Sequence, residues 1–430
     1  MKQLLKSIVV KILTAEAIVL LRRHNPKIVA ITGSVGKTST KDAIYAAVKN
    51  STFARKSDKS FNSEIGIPLT ILGLPSAWNN PLMWLNNIVE GFITAFFSRS
   101  YPEVLILEAG IDRPGDMESL TRWLKPDVVV LTRLPAVPAH VEYFKTPELV
   151  IEEKMKLALA LKTDGVLIYN NDDTIITKQL PQVRQKQVGF GRYLETDFTA
   201  RSDRVVYKDD QPIGVEFSLL HMGAEHKVKI ANTVGTQHMY SCIAALAVAD
   251  ELSVPIGVAV ESLQSLATPP GRMRIITGLK GSVLIDDTYN SSPIAVEQAL
   301  QALKELNYTK RKIAVLGDML ELGKFSSEEH KRIGVIVAKS ADILLTVGVR
   351  AKQIADGALS AGMSEKNIFQ YEEVGRAGRE LQTLLSPGDA VLIKASQGIR
   401  AEKIVEEVMA EPLRIEELLV RQDQEWRSRK

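Results

Sequence analysis

Apolar and polar positions along the chain fall into distinct textures. Over residues 3–23, apolar residues (Leu4, Leu5, Ile8, Val9, Val10, Ile12, Leu13, Ile18, Val19, Leu20, Leu21) dominate, but Lys6, Lys11 and Glu16 interrupt them. A bilayer-spanning helix wants about 20 nearly uninterrupted apolar residues, and a signal peptide wants a small-residue cleavage site that this segment lacks. The pattern therefore predicts an amphipathic helix over 1–26. It either packs on the next domain or rests with Lys2, Lys6, Lys11, Arg22 and Arg23 on an anionic membrane surface.

From residue 27 the pattern changes to short apolar runs of strand length at 27–32, 104–108, 128–132 and 166–169, each followed by a helical stretch. That alternation predicts a parallel sheet covered by helices. Over 197–230, polar alternation broken by Lys208-Asp209-Asp210-Gln211-Pro212 and His221-Met222-Gly223 predicts antiparallel hairpins. Helical segments follow over 237–266. Thr268-Pro269-Pro270-Gly271 then reads as a linker, beyond which strand-like runs at 282–287, 312–317, 343–348 and 390–395 alternate with helices again. The expected divisions are a helix over 1–26, a central α/β domain over 27–268 with antiparallel hairpins, a Rossmann-like α/β domain over 269–412 and a charged tail over 413–430, solvated or frayed. A second apolar stretch, 78–101, crowds Trp78, Trp84, Phe92, Phe96 and Phe97 at helical spacing; it reads as core or as a protruding surface for lipid or a partner.

Composition narrows the class. With 430 residues, 45% hydrophobic and 24% charged, the chain can build well-packed cores. The formal net charge of +3 is too small to make nucleic acid the main partner. A single cysteine, Cys242, excludes an intrachain disulfide and a cysteine-built zinc site, so a cytoplasmic protein, resting at most on the inner membrane surface, is the simplest reading.

The sharpest local signal is Ile28-Val29-Ala30-Ile31-Thr32-Gly33-Ser34-Val35-Gly36-Lys37-Thr38-Ser39. A buried strand runs into a Gly-rich turn that opens a helix, so backbone N–H groups of Gly33, Ser34, Val35, Gly36, Lys37, Thr38 and Ser39 converge on one anion. Lys37 would reach the outer phosphates of ATP and Thr38 would ligate Mg2+. Ile31 stands where the general pattern has its first glycine, so the loop is a shorter form. Glu108 closes a strand at the edge where ligands of open α/β sheets collect, and suits a magnesium ion; taken alone it is an ordinary loop carboxylate. His140, in a loop after another strand, is a candidate only together with Glu108. Lys154, beside Glu152 and Glu153, reads by spacing as a solvated helix face. Asp286 and Asp287 close the first strand after the linker, and Arg272 stands where an arginine swings onto a phosphate as domains close.

Several motifs in one order resemble the Mur ligase family of peptidoglycan synthesis, in particular its branch that adds D-alanyl-D-alanine to a UDP-muramoyl tripeptide. They are ITGSVGKTSTKD (31–42), FNSEIGIPLTIL (61–72), LEAGIDRPGDMESL (107–120), the loop ending at His140, EEKMKLALAL (152–161), GRM (271–273), LIDDTYNSSPIAV (284–296) and VLGDMLELG (315–323). The resemblance implies an ATP-dependent ligase that activates a carboxylate as an acyl phosphate for attack by an amine. It implies Lys37, Glu108, His140 and Lys154 as catalytic, with Thr38 and Glu108 on one Mg2+, His140 on a second and a carbamylated Lys154 as an anionic ligand. It also implies nucleotide contacts from Arg272, Asp286, Asp287 and His238, and a pocket for the incoming amine formed by Tyr289, Asn290, Lys394, Ser396 and Arg400.

Three departures accompany it. Only about 27 residues precede the phosphate loop, where the family carries a sugar-recognition domain; this predicts a separate sugar-binding partner or a lipid-linked muramoyl peptide. Met239 and Cys242 replace the asparagines of the family's H-N-x-x-N near adenine, and Lys394-Ala395-Ser396-Gln397-Gly398 replaces K-G-S-R. The rival readings are a ligase of the same architecture acting on another amino acid or a folylpolyglutamate-like chain, and a non-catalytic ATP-binding partner protein.

Overall fold

The structure is a computed structural model that describes residues 2–57, 64–77, 80–138 and 140–427. Trp78, residues 61–63 of one resembling stretch, the Lys2, Leu4 and Leu5 side chains and residues 428–430 of the tail lie outside the described part.

Helix α1 (Lys2–His24) leads directly into the first sheet. Its strands are β1 (Lys27–Thr32), β2 (Ala54–Lys56), β3 (Val104–Glu108), β4 (Val128–Leu131), β5 (Val166–Asn170), β6 (Lys186–Gly191), β7 (Phe198–Lys208), β8 (Gln211–His221) and β9 (Ala224–Ala231). Their spatial order is β2-β3-β1-β4-β5-β6-β7-β8-β9, parallel as far as β7 and antiparallel through β8 and β9. The two hairpins turn at Asp209-Asp210 and Met222-Gly223, all four residues having the positive φ that two-residue turns between right-twisted strands require.

β1 reads as an unbroken apolar run because both of its faces are covered. Val29 and Ile31 pack among Ala43, Ile44 and Ala47 of α2 (Lys37–Val48) and Ile243 of the helix Gln237–Glu251. Ile28 and Ala30 pack on the other side with Leu13, Ala17 and Leu20 of α1, Ile67 and Ile71 of α3 (Gly66–Leu72) and Leu157 of the helix Pro147–Leu159.

The second sheet contains β10 (Arg274–Thr277), β11 (Val283–Asp287), β12 (Arg311–Gly317), β13 (Ile343–Val347), β14 (Ile368–Tyr371) and β15 (Asp389–Lys394), in the order β10-β11-β15-β12-β13-β14. Only β10 runs antiparallel. The fold is therefore α/β, with a nine-stranded sheet carrying antiparallel hairpins and a Rossmann-like second sheet.

The two ends of the chain depart from simple surface behaviour. Part of the tail is anchored: Leu418 and Leu419 are buried against the second sheet, and Arg421 pairs with Glu402 at 2.8 Å while donating to the carbonyls of Thr288 and Tyr289. A run rich in charge conceals this, because the buried partner of Arg421, Glu402, lies outside the run. At the other end, α1 packs against α4 (Pro81–Phe97), and Gly91 makes room for Glu16: a Cβ there would stand 2.2 Å from Glu16 Oε2. Burial lifts the Glu16 carboxyl from 4.5 to about 7.

That shift makes the α1–α4 seam pH-sensitive. A carboxyl whose folded-state value is raised costs stability as pH climbs from about 4.5 to 7, because the unfolded chain ionises first. Glu16→Gln should therefore be more stable than the parent at pH 8, by on the order of 1–3 kcal/mol, with the difference vanishing below the unfolded value. Chemical denaturation across this pH range measures it.

Candidate active site

The register of the first sheet assembles the site at its carboxyl edge. Ile31 pairs with Glu108 and Thr32 with Leu131, so the ends of β1, β3 and β4 lie side by side. The chain leaves β1 through Gly33 at φ 144° and enters α2 through Gly36 at φ 87°. A Cβ on Gly33 would stand 2.1 Å from Thr132 Oγ1, a hydroxyl that itself donates to Val35 O at 2.7 Å and so holds the loop. Ile31, the departure from the longer phosphate-loop pattern, is a strand residue, and the turn begins two residues later.

Around this turn the side chains interlock. Thr38 Oγ1 donates to Glu108 at 3.0 and 3.2 Å. Lys37 Nζ and Lys154 Nζ both donate to Gly33 O, at 3.0 and 3.1 Å. Lys154 is therefore not on a solvated face: it is 1% exposed. Desolvation first, and the neighbouring Lys37 cation second, hold its amine well below the usual lysine range. Glu153, which sequence reasoning left without a role, accepts from the N–H groups of Gly115, Met117 and Glu118 at 2.9–3.2 Å, and its other oxygen takes Lys156 at 2.8 Å. It caps the helix Asp116–Thr121 and so fixes the helix that carries Lys154. The N–H groups it caps lie more than thirty residues away, so no local pattern marks that role.

The second lobe reaches the same edge through the linker. Arg272 brings its guanidinium to 3.4 Å from Thr38 Oγ1 and stacks over the Tyr289 ring at 4.0 Å. His238 bonds the Arg272 carbonyl at 2.7 Å, and burial holds its imidazole below the usual range. Asp286 is fully buried; desolvation raises its carboxyl to about 6 although it accepts from Gly271 N, Thr288 N and Thr288 Oγ1. Both residues hold the linker. Asp287 and Lys394 are register partners on β11 and β15 and pair at 2.7 Å, with Lys394 also donating to Asn290 O at 2.9 Å. Ser396 accepts from Leu320 N at 2.9 Å. Arg400 lies apart from this group, tied to Glu402 at 2.5 Å and to Trp426.

His140 makes its contact with the second lobe. Its Nδ1 lies 2.7 Å from Glu321 Oε2 in the second lobe, and Glu142 N donates to Glu321 O at 3.2 Å, so this loop joins the lobes. The hydrogen bond from His140 holds the Glu321 carboxyl below the usual range. Among the described residues no group of three or more His, Cys, Asp or Glu side chains stands ready to hold a metal.

The residues fit a phosphate-bearing ligand. The loop admits no side chain at Gly33, and Ser34 Oγ, Gln237 Oε1 and Arg272 Nε are buried without a hydrogen-bond partner. A narrow pocket beside Val35 and Gly36 is lined by Thr40, Asn170, Phe190, Gln237 and Tyr240. A cavity of about 360 Å³ between the lobes is bounded by Arg133, Asp173 and Ile175 on one side and Pro293, Glu329 and Arg332 on the other.

Comparison with known proteins identifies the family. The Mur ligase middle domain matches residues 31–249, and the Mur ligase glutamate ligase domain matches residues 271–397. The chain belongs to the Mur ligase family and is an ATP-dependent ligase. It is 28% identical over 394 residues to a UDP-N-acetylmuramoyl-tripeptide–D-alanyl-D-alanine ligase of Bacillus subtilis, covering 91% of this chain and 78% of that protein. The structure is similar to that of MurF ligase from Thermotoga maritima in complex with ADP, with a TM-score of 0.74 and 25% identity over 93% of this chain and 83% of that one. Folylpolyglutamate synthase of Mycobacterium tuberculosis shares the fold at a TM-score of 0.64 and 14% identity, over 91% and 94% of the two chains.

Gly33→Ala should weaken ATP binding at least about tenfold, since the methyl group must displace Thr132 or the loop. Calorimetric titration with a non-hydrolysable ATP analogue reads the loss; unchanged affinity would contradict this assignment of the loop.

Proposed function

We propose that the chain is a MurF-type ligase that joins the amine of D-alanyl-D-alanine to the terminal carboxylate of a muramoyl tripeptide. The observation that carries this reading is the convergence of Lys37, Lys154, Thr38 and Glu108 on the phosphate loop opposite Arg272 of the second lobe. The activity for which the Bacillus subtilis relative is named supports the choice of substrates.

The chemistry asks for charge neutralisation and positioning more than for covalent help. The loop amides and Lys37 would hold the phosphates of ATP, while Arg272 neutralises charge from the opposite side. The carboxylate substrate would attack the terminal phosphorus, giving an acyl phosphate and ADP. The amine then attacks the acyl carbon and expels phosphate. Mg2+ held by Thr38 and Glu108 would supply further charge neutralisation. The second magnesium position expected at His140 would use Nε2, with Nδ1 held by Glu321. The side chains of Tyr289 and Asn290, with the Asp287–Lys394 pair, would border the incoming amine.

Carbamylation of Lys154, which the family resemblance implies, suits its surroundings. The neutral amine, which burial favours, adds carbon dioxide to give a carbamate and a proton. That change would replace repulsion between two cations on one carbonyl by attraction between Lys37 and an anion.

Phosphate release should require ATP, UDP-muramoyl tripeptide and D-alanyl-D-alanine together, and should not occur with a folate and glutamate in their place. Release that is equal with either peptide substrate omitted would contradict the proposal. Lys154→Ala should lose activity by about 10²-fold or more and regain part of it with a small added carboxylate; absence of rescue would count against the carbamate.

A further inference from the structure

Helix α4 presents its faces in the reverse of the order that water selects. Its inner seam, against α1, contains Asn87, Gly91, Thr94 and Ala95 beside Trp84 and Ile88, and meets the buried Glu16 carboxyl. Its outward arc exposes Leu85, Val89, Phe92, Ile93, Phe96 and Phe97, with Leu82 78% exposed at the start of the helix. Phe92 lies against Phe96 at 4.7 Å with the rings tilted, and edge-on to Phe97 at 6.4 Å, so this end of the arc is a continuous ridge. Its polar members, Asn86 and Glu90, satisfy each other at 2.9 Å. A surface helix ordinarily turns such an arc inward, and a contiguous apolar face of this kind marks a contact.

The flanking charge identifies that contact. Lys6, Lys11, Arg22, Arg23 and Arg99 are exposed on α1 and just beyond α4. Arg23 donates to Ala95 O at 3.3 Å, which fixes its guanidinium beside the Phe96–Phe97 end of the ridge. Lys6 is met by Glu64 at 2.9 Å, an exposed pair worth little. α1 and α4 run side by side with cations toward both ends, so a second copy docked on this face would bring cation against cation in either direction. No helix among the described residues is long and apolar enough to cross a membrane.

We propose that α4 lies flat in the interfacial layer of an anionic lipid bilayer, its aromatic and aliphatic ridge among the upper acyl chains and the flanking lysines and arginines at the level of the phosphates. This holds the ligase against a membrane whatever peptide it extends, since none of these residues belongs to the phosphate loop or the linker.

Co-sedimentation of the full chain with vesicles tests it. The parent should pellet with vesicles containing phosphatidylglycerol, less with pure phosphatidylcholine, and less again at high salt. The triple variant Leu85→Ser, Phe92→Ser, Phe96→Ser should lose at least about tenfold of that binding. Arg22→Glu with Arg99→Glu should lose severalfold for phosphatidylglycerol alone, and it leaves the ridge intact should the triple variant fold poorly. The proposal is overturned if the parent stays in the supernatant, if both variants pellet as the parent does, or if light scattering shows a dimer that the triple variant converts to monomer.

Discussion

Two lysine side chains, from helices on opposite faces of one sheet, end on the same carbonyl oxygen, that of Gly33. The site depends on this convergence. It requires a turn with no side chain at Gly33, a hydroxyl at Thr132 to hold that turn, and a strand buried on both faces so that neither helix can shift. It also places two potential cations together in a desolvated space, an arrangement whose natural relief is loss of one proton or conversion of one amine to an anion. Glu153, capping a neighbouring helix, keeps Lys154 in place from behind.

The second lobe is fastened to this site by backbone-directed contacts. Asp286 grips the linker at Gly271, His238 grips it at Arg272, and Arg421 from the tail grips the following turn at Thr288 and Tyr289. Arg272 emerges from this bracket with its guanidinium stacked on Tyr289 and turned toward Thr38. Residues that look like nucleotide ligands by motif therefore include several that orient one arginine. The His140–Glu321 pair adds a contact between the lobes through Nδ1.

Much of the fold was legible in the sequence, because both signals are local. Strand-length apolar runs followed by helices expose a parallel sheet, and Asp209-Asp210 and Met222-Gly223 mark the hairpins. The phosphate loop was legible for the same reason. Lys154 was not, since its helix shows only a mixed face beside glutamates, and its burial depends on Gly33, far away in the chain; the family resemblance alone nominated it. Glu153 and Arg421 were illegible because a charge that satisfies distant N–H or C=O groups looks like any other charge. The stripe of α4 was visible as a stripe, but periodicity does not say which way a stripe points.

The central claim is that the terminal phosphoryl group of ATP passes to a carboxylate before the amide forms. Ligation with an acyl substrate labelled with 18O in its reacting carboxylate tests this most directly, by mass analysis of the phosphate released. Transfer of one labelled oxygen into phosphate for each amide formed is the predicted result. Phosphate free of label, with amide still produced, would contradict it.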